Sequence, residues 1–231
     1  MARIEILNAT KHAGLRIRRD IAPPTPHLVP VVATELRELA VEYPVVLVKN
    51  PETGQFGLFA LLGFREGENL FAGGNKSWLA HYIPIDIRRQ PFVVARGKEE
   101  GKGAVAIDLE SPLISESDGQ PIFGEDGGGL VKDIQPVLAA GMSGLAPTQA
   151  LVAALNEHDL IAPGRIEVPD PDGAFTLEGF YTLSSANLAT LSGEALADLN
   201  SKGLLFAAHL ILASMANVAK LLARRSSRTA N

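Results

Sequence analysis

Val45-Val46-Leu47-Val48-Lys49-Asn50-Pro51-Glu52-Thr53-Gly54-Gln55-Phe56-Gly57-Leu58-Phe59-Ala60-Leu61-Leu62-Gly63-Phe64 reads as two apolar runs joined by a turn. The first run is short and rich in β-branched residues, which suit a pleated surface. Asn50 to Gly54 gathers the residue types that turn a chain, so residues 45–48 and 56–64 are expected to form a β-hairpin. Further strands are expected at Leu70-Phe71, Phe92 to Ala95 and Ala104 to Leu109. The charged turn Lys98 to Lys102 would join the last two. A late hairpin would pair Ile166 to Val168 with Phe175 to Leu183 across Pro169-Asp170-Pro171-Asp172-Gly173.

Helices account for much of the rest. Val32, Leu36, Leu39, Ala40 and Tyr43 keep a helical spacing, with Thr34 as cap and Pro44 as stop. Leu130 to Leu160 is expected to be mainly helical but broken near Pro136 and around Gly141 to Pro147. A short helix from Gly193 to Lys202, capped by Ser192, precedes a bend at Gly203 and a long final helix. Strands and helices do not alternate regularly, which argues against a doubly wound parallel sheet. The expectation is an α+β fold: a mostly antiparallel sheet or small barrel packed against helices, with a long C-terminal helix. Residues 1–30, with Pro23, Pro24, Pro26 and Pro30, read as an extended N-terminal arm of a single domain spanning 1–231.

Composition narrows the function classes. A chain of 231 residues can bury roughly 70–75% of its unfolded surface and needs no staple to fold. Hydrophobic residues make up 46% and charged residues 20%, as in a globular protein rather than a disordered one. With Cys at 0 there is no disulfide framework, cysteine-ligated metal or cysteine nucleophile. A net charge of -5 argues against nucleic acid as a partner. The first residues, Met-Ala-Arg-Ile-Glu-Ile-Leu-Asn, show no basic start followed by an apolar run, so a cytoplasmic location is expected, with leaderless export left open.

Residues 203–219 carry no formal charge. The run is shorter than the roughly 20 residues of a membrane span. His209, Ala213, Asn217, Lys220 and Arg224 fall on one helical stripe. Leu205, Ala208, Leu212, Met215, Ala216, Ala219 and Leu222 fall on a separate apolar arc. That pattern describes a mostly buried amphipathic helix, and membrane association is not expected. A helix of this kind is compatible with either a core element or a homodimer contact.

Several stretches look chemical and fail on spacing. Gly73-Gly74-Asn75-Lys76-Ser77 lacks the glycines a phosphate-binding loop needs. Gly127-Gly128-Gly129 follows Glu125 and Asp126, which would repel an anion. Glu116, Asp118, Glu125 and Asp126, like Asp170 and Asp172, lack calcium-loop spacing. None of His12, His27, His81, His158 and His209 falls in a metal motif, although a triad such as His81, Asp108 and His209 could be assembled from afar. No Gly-x-Ser-x-Gly elbow occurs.

The segment Trp78 to Phe92 is the most distinctive. It holds the single Trp, Tyr82 and the pair Arg88-Arg89. Guanidinium forks suit carboxylate or phosphate, and rings beside them could grip an organic ligand. The alternative is structural, with an arginine paired to Asp86 or Glu68 and the rings in the core.

Taken in order, a set of segments resembles the SapC family of bacterial proteins, the soluble family and not the peptide-transporter permease of the same name. The matching segments are Leu28-Val29-Pro30 with Glu42-Tyr43-Pro44-Val45-Val46, and Ala60-Leu61-Leu62-Gly63-Phe64 with Gly67-Glu68-Asn69-Leu70-Phe71. Trp78, Tyr82-Ile83-Pro84, Ile87-Arg88-Arg89, Pro91-Phe92 and Pro121-Ile122-Phe123 follow. Gly179-Phe180-Tyr181 and Ala208-His209-Leu210 with Ser214 and Asn217 complete the set. The chain departs from the pattern at Gln90, where an aromatic is usual, and in a Gly-rich stretch over 124–144.

The resemblance implies a role tied to surface-layer formation or to outer-membrane-related pathways. It brings no catalytic residue, cofactor or metal. The function expected is therefore an accessory protein, not an enzyme, that binds a peptide, a protein or a small anionic ligand. The candidate binding residues are Trp78, Tyr82, Arg88, Arg89, Glu68, Asn69, His209 and Asn217. Two alternatives stay open: a metal-dependent enzyme built from scattered His and carboxylates, and a structural surface-layer component.

Overall fold

The computed structural model describes residues 3–18, 26–73, 77–96, 103–124, 129–171 and 173–229. The expected turn at Lys98 to Lys102 lies outside them, as do Asn75, Lys76, Glu125, Asp126 and Asp172. In chain order the elements are β1 (Ile4–Ile6), β2 (Arg16–Ile17), β3 (Leu28–Pro30), a 3-10 turn (Ala33–Glu35), α1 (Leu36–Leu39), β4 (Val45–Lys49) and β5 (Phe56–Leu61). Next come α2 (Ile85–Arg88), β6 (Phe92–Arg96), β7 (Gly103–Asp108), β8 (Ile114–Ser115), β9 (Gln120–Pro121) and α3 (Leu130–Glu157). The last are β10 (Ile161–Pro163), β11 (Ile166–Val168), β12 (Phe175–Leu177), β13 (Tyr181–Leu183), α4 (Ser185–Ala189), α5 (Gly193–Ser201), α6 (Leu204–Ser214) and α7 (Asn217–Thr229).

The chain divides into two compact units. The first comprises Met1–Pro24, Ala72–Trp78 and Ile85–Met142. It holds two antiparallel three-stranded sheets, ordered β1-β7-β6 and β8-β2-β9. Its core gathers Ile17, Phe92, Ile107, Leu113 and Ile122 with Leu130, Ile134 and Leu138 of α3. Those three leucine and isoleucine positions recur every fourth residue, one stripe of a helix.

The second unit comprises Thr25–Phe71, Leu79–Pro84 and Ser143–Asn231. Its main sheet is antiparallel and open, in the order β10-β13-β4-β5-β3. The expected hairpin is β4 and β5, with Val45 opposite Ala60 and Lys49 opposite Phe56. Asn50 makes the turn, its Oδ1 accepting the N–H groups of Glu52 at 2.8 Å and Thr53 at 3.0 Å. Val45, Val46 and Leu47 are all fully buried, as a central strand covered on both faces requires. A separate hairpin pairs β11 with β12, but the strand expected to run on to Leu183 ends at Leu177, and Tyr181–Leu183 joins the main sheet beside β10 and β4 instead.

The fold is α+β with antiparallel sheets, and none of the sheets among the described residues closes into a barrel. Within the stretch 1–30 the described residues supply β1, β2 and β3 and bury Ile17 and Val29, with a turn over residues 9–14 between β1 and β2. Other local expectations need correction. Leu70-Phe71 is a turn rather than a strand, because the Asn69 side chain accepts the Phe71 N–H at 2.9 Å. Val32, not Thr34, starts the first helix, and Glu35 reaches back to accept the Val32 N–H at 3.0 Å. The helix over 130–157 is unbroken. Pro136 and Pro147 each remove one backbone donor. The apolar stripe nevertheless continues through Leu151 and Leu155 in the second unit and outweighs that loss.

Gly144 sits where α3 meets the Val32 turn. A Cβ there would lie 2.4 Å from Val32 Cγ2, and the Thr148 hydroxyl on the next turn accepts the Ala33 N–H at 2.8 Å. At Gly141 the nearest atom to an added Cβ is Ile85 Cγ2 at 3.3 Å, a much milder approach. Gly144→Ala is expected to destabilise the fold by about 1–3 kcal/mol through overpacking, despite alanine's better helix propensity. Gly141→Ala is expected to be neutral or mildly stabilising. Urea unfolding of both variants checks the contrast.

Candidate functional site

The inward face of α6 and α7 carries Ala208, Ile211, Ser214, Asn217, Leu221 and Arg225. Three of these six are polar, so the buried face differs from the apolar arc expected from hydropathy. Ala216 and Ala219 of that arc are exposed, while Ile211 and Leu221 outside it are buried. Each polar group finds a backbone or charged partner in the same unit. Ser214 Oγ accepts the Val45 N–H at 2.9 Å and donates to Ile211 O at 2.6 Å. Asn217 Nδ2 donates to Ala40 O at 2.8 Å and Tyr43 O at 3.2 Å, satisfying carbonyls just beyond α1. Lys220 donates to Val41 O at 3.1 Å, Arg224 to Leu79 O at 2.9 Å and Arg228 to Asn69 O at 2.7 Å. The Arg224 guanidinium also lies 4.3 Å over the Phe71 ring, which stacks on Tyr43.

Arg225 is the deepest charge on this face, 7% exposed. Its Nε donates to Glu68 at 3.1 Å, its Nη1 to Pro169 O at 2.7 Å and its Nη2 to Asp170. Arg65 meets the same Asp170 carboxylate at 3.1 Å. Both guanidinium groups lie over Phe175, at 4.3 Å for Arg65 and 5.3 Å for Arg225. The Asp170 hydrogen bond raises the Arg225 pKa above its ordinary value; burial opposes this and Glu68 reinforces it. The second Glu68 oxygen accepts the Phe64 N–H at 2.6 Å and closes the Gly63–Glu68 loop.

A second clasp surrounds Glu42. Its oxygens accept the N–H of His81 at 2.9 Å and of Tyr82 at 3.0 Å, with the His81 ring nitrogen at 3.3 Å. Burial alone would raise the Glu42 pKa, but the hydrogen bonds from Tyr82 and His81 outweigh it and hold the group below its ordinary value. The Tyr82 hydroxyl donates to Glu35 at 2.9 Å.

The candidate binding residues fall in both units. Trp78, Arg88 and Arg89 belong to the first. There Arg89 is half-buried and donates to Asp86 and Phe92 O, each at 2.9 Å, while Arg88 is exposed and Trp78 bridges to Ala72. Tyr82, Glu68, Asn69, His209 and Asn217 belong to the second. Glu68, Asn69 and Asn217 meet at α7 through Arg225, Arg228 and the helix itself; Tyr82 lies in the Glu42 clasp. His209 is exposed, with Nδ1 2.8 Å from Leu205 O. Sequence reasoning missed Glu42, Arg65, Asp170 and Arg225. Arg225 stands four residues after Leu221, on a stripe whose burial only the structure shows.

Two histidines each face one carboxylate. His12 faces Glu5 at 3.5 Å and His81 faces Glu42. Among the described residues no group of three His, Asp or Glu converges to hold a metal ion. By length and composition, Leu130–Glu157 and Leu204–Arg228 are both apolar enough to cross a membrane, with mean hydropathies of 1.4 and 1.7. In the second of them, Ser214, Asn217 and Arg225 bind the rest of their unit from the inward face.

The second unit also holds an open groove of about 540 Å³ between the hairpin turn and α3. Gln55, Phe56, Thr148, Gln149, Val152 and Asn156 line it. None of the described lining residues is charged, and the Lys49 ammonium stands 5.5 Å over the Phe56 ring.

A family model for SapC matches residues 7–221, and the chain belongs to the SapC family. No curated protein and no solved structure matches it.

Removing the Arg225 side chain leaves Asp170, 5% exposed at its side chain, beside fewer positive partners. Because Arg65 still faces Asp170 at 3.1 Å, Arg225→Ala is expected to cost about 1–3 kcal/mol of stability, the range for leaving buried hydrogen-bond acceptors unsatisfied. Denaturant titration measures it. The depressed Glu42 pKa contributes stability above the ordinary carboxylate value of 4.5. That contribution disappears as pH falls through the lower, folded-state value. The stability difference between the protein and Glu42→Gln should therefore be full at neutral pH and shrink below about pH 4.5. Unfolding curves across pH 3 to 7, roughly half a unit apart, check the sign.

Proposed function

We propose that this SapC protein is a non-enzymatic accessory protein that binds a peptide or protein partner. We place it in the cytoplasm, serving the surface-layer or outer-membrane-related pathway that the family's name suggests. The observation that carries the reading is where the polar side chains go. Glu42, Glu68, Asp170, Arg89 and Arg225 are committed to clasps that hold loops and helices. Carboxylates whose oxygens already accept several hydrogen bonds are poorly suited to pass protons. The pairing of Arg89 with Asp86 also disfavours a small anion as ligand at the arginine pair. The open groove, by contrast, has the concave form and mixed polar and apolar lining of a binding site.

Native mass spectrometry of protein purified gently from its own host tests this. The expected spectrum shows the chain with a retained peptide or a protein partner. A stoichiometric metal ion would overturn the reading and return attention to the histidines.

A further inference from the structure

We propose that the free edge of β1 pairs antiparallel with β1 of a second copy of this chain, joining two three-stranded sheets into one six-stranded sheet across a twofold axis. This self-contact is separate from the partner binding proposed above.

β1 ends the β1-β7-β6 sheet, and no described strand pairs with its other side. Its bonds to β7 come from the odd-numbered residues. Arg3 O accepts the Leu109 N–H at 2.9 Å, the Leu7 N–H donates to Val105 O at 2.8 Å, and Glu5 stands opposite Ile107 between them. In an antiparallel ladder the alternate residues turn their N–H and C=O groups the other way. Those residues are Ile4 and Ile6, so their donors and acceptors face the free edge. Their side chains share one face of the sheet and are 45% and 48% exposed. The main sheet guards its edges differently. Its edge strands β10 and β3 hold Pro163 and Pro30, and proline blunts an edge because it has no N–H to offer. β1 contains no proline.

On its opposite face the β1 segment carries Arg3 and Glu5. A charge at a strand edge ordinarily discourages pairing, because the incoming strand would bury it unpaired. Here the same strand supplies the opposite charge. Pairing through the outward groups of Ile4 and Ile6 leaves three antiparallel registers. Ile4 opposite Ile6 of the second copy sets the two Glu5 carboxylates against each other, which like charge disfavours. Ile6 opposite Ile6 sets Glu5 against Leu7 and gains no charge pair. Ile4 opposite Ile4 sets each Arg3 across from the other copy's Glu5, two opposite-charge pairs about one axis. Glu5 has room for this contact. Its Oε2 is held by Lys11 and faces His12 Nε2 at 3.5 Å. Its Oε1 lies 3.8 Å from Nε of Arg3 in its own strand, beyond hydrogen-bond distance, and the Arg3 side chain is 63% exposed. A strand that complements itself in backbone and charge, in a register symmetric about Ile4, has the form of an isologous contact. The contact is short, so the association is weak, with a Kd of about 0.1 mM.

Sedimentation equilibrium of the full chain from about 10 µM to about 1 mM, with amide hydrogen exchange followed by NMR, tests this. The expected result is a monomer–dimer equilibrium in which the Ile4 and Ile6 amides gain protection as concentration rises. Ile4→Pro deletes a donor that faces away from β7, and should keep the fold and weaken the dimer roughly tenfold. Arg3→Glu should weaken it similarly, while Arg3→Lys should not. An equimolar mixture of Arg3→Glu and Glu5→Arg should pair as tightly as the unaltered chain, because every facing charge in the mixed dimer is opposite. Glu5→Arg gives up the Lys11 contact; if it fails to fold, the contrast between Arg3→Glu and Arg3→Lys decides. A chain that stays monomeric at about 1 mM overturns the proposal. So does a dimer that Ile4→Pro or Arg3→Glu leaves as tight as before, or a mixture of two folded variants that stays apart.

Discussion

A buried polar atom without a partner costs more than most single contacts return, and the inward face of α6 and α7 carries three polar side chains. The second unit is arranged around their satisfaction. Ser214 caps the start of the central strand, and Asn217 takes the carbonyls that α1 leaves open. Arg225 draws Glu68, Asp170 and Pro169 together from separate parts of the chain. Hydrophobic burial supplies most of the driving force and fixes the rotation of the helices about their axes only coarsely. The polar pairs set that rotation, since only one face of α7 can meet these partners.

The same logic explains why residues that stand out as binding candidates are quiet in the structure. Glu68, Asn69 and Asn217 each tie down a backbone group of a loop that lacks a sheet ladder of its own, and the Tyr82 hydroxyl anchors Glu35. Loops of this kind need side chains to satisfy their N–H and C=O groups. A polar residue in a shared family pattern is thus accounted for by the fold itself.

The hairpin β4–β5 was legible because its signals agree: β-branched runs on both sides and an Asn-led turn between them. The Ser192 cap was legible for the same reason, and Ser192 Oγ accepts the Ala195 N–H at 3.2 Å. Local signals misled where tertiary packing outweighed them. Pro136 and Pro147 mark breaks in isolation, yet α3 continues because its apolar stripe is packed along its length. Hydropathy placed Asn217 toward solvent, since a sequence does not show that two carbonyls wait for it across the fold. The groove was illegible for a simpler reason. Gln55 and Gln149 are far apart in the chain, and only the folded structure brings both to its lining.

The discontinuity of the second unit bears on how the chain matures. Its segments are interleaved with those of the first unit, and α7 reaches back to residues 145 to 177 positions earlier for Arg224, Arg228 and Asn217. Contacts of such long range form late and slowly. During synthesis the carbonyls of Ala40 and Tyr43 and the N–H of Val45 therefore wait, hydrated or held by temporary partners, until residues 214–228 have been made. For most of its time on the ribosome, the second unit is a half-built sheet with an uncovered apolar face. Such a face is the kind of surface that chaperones shield.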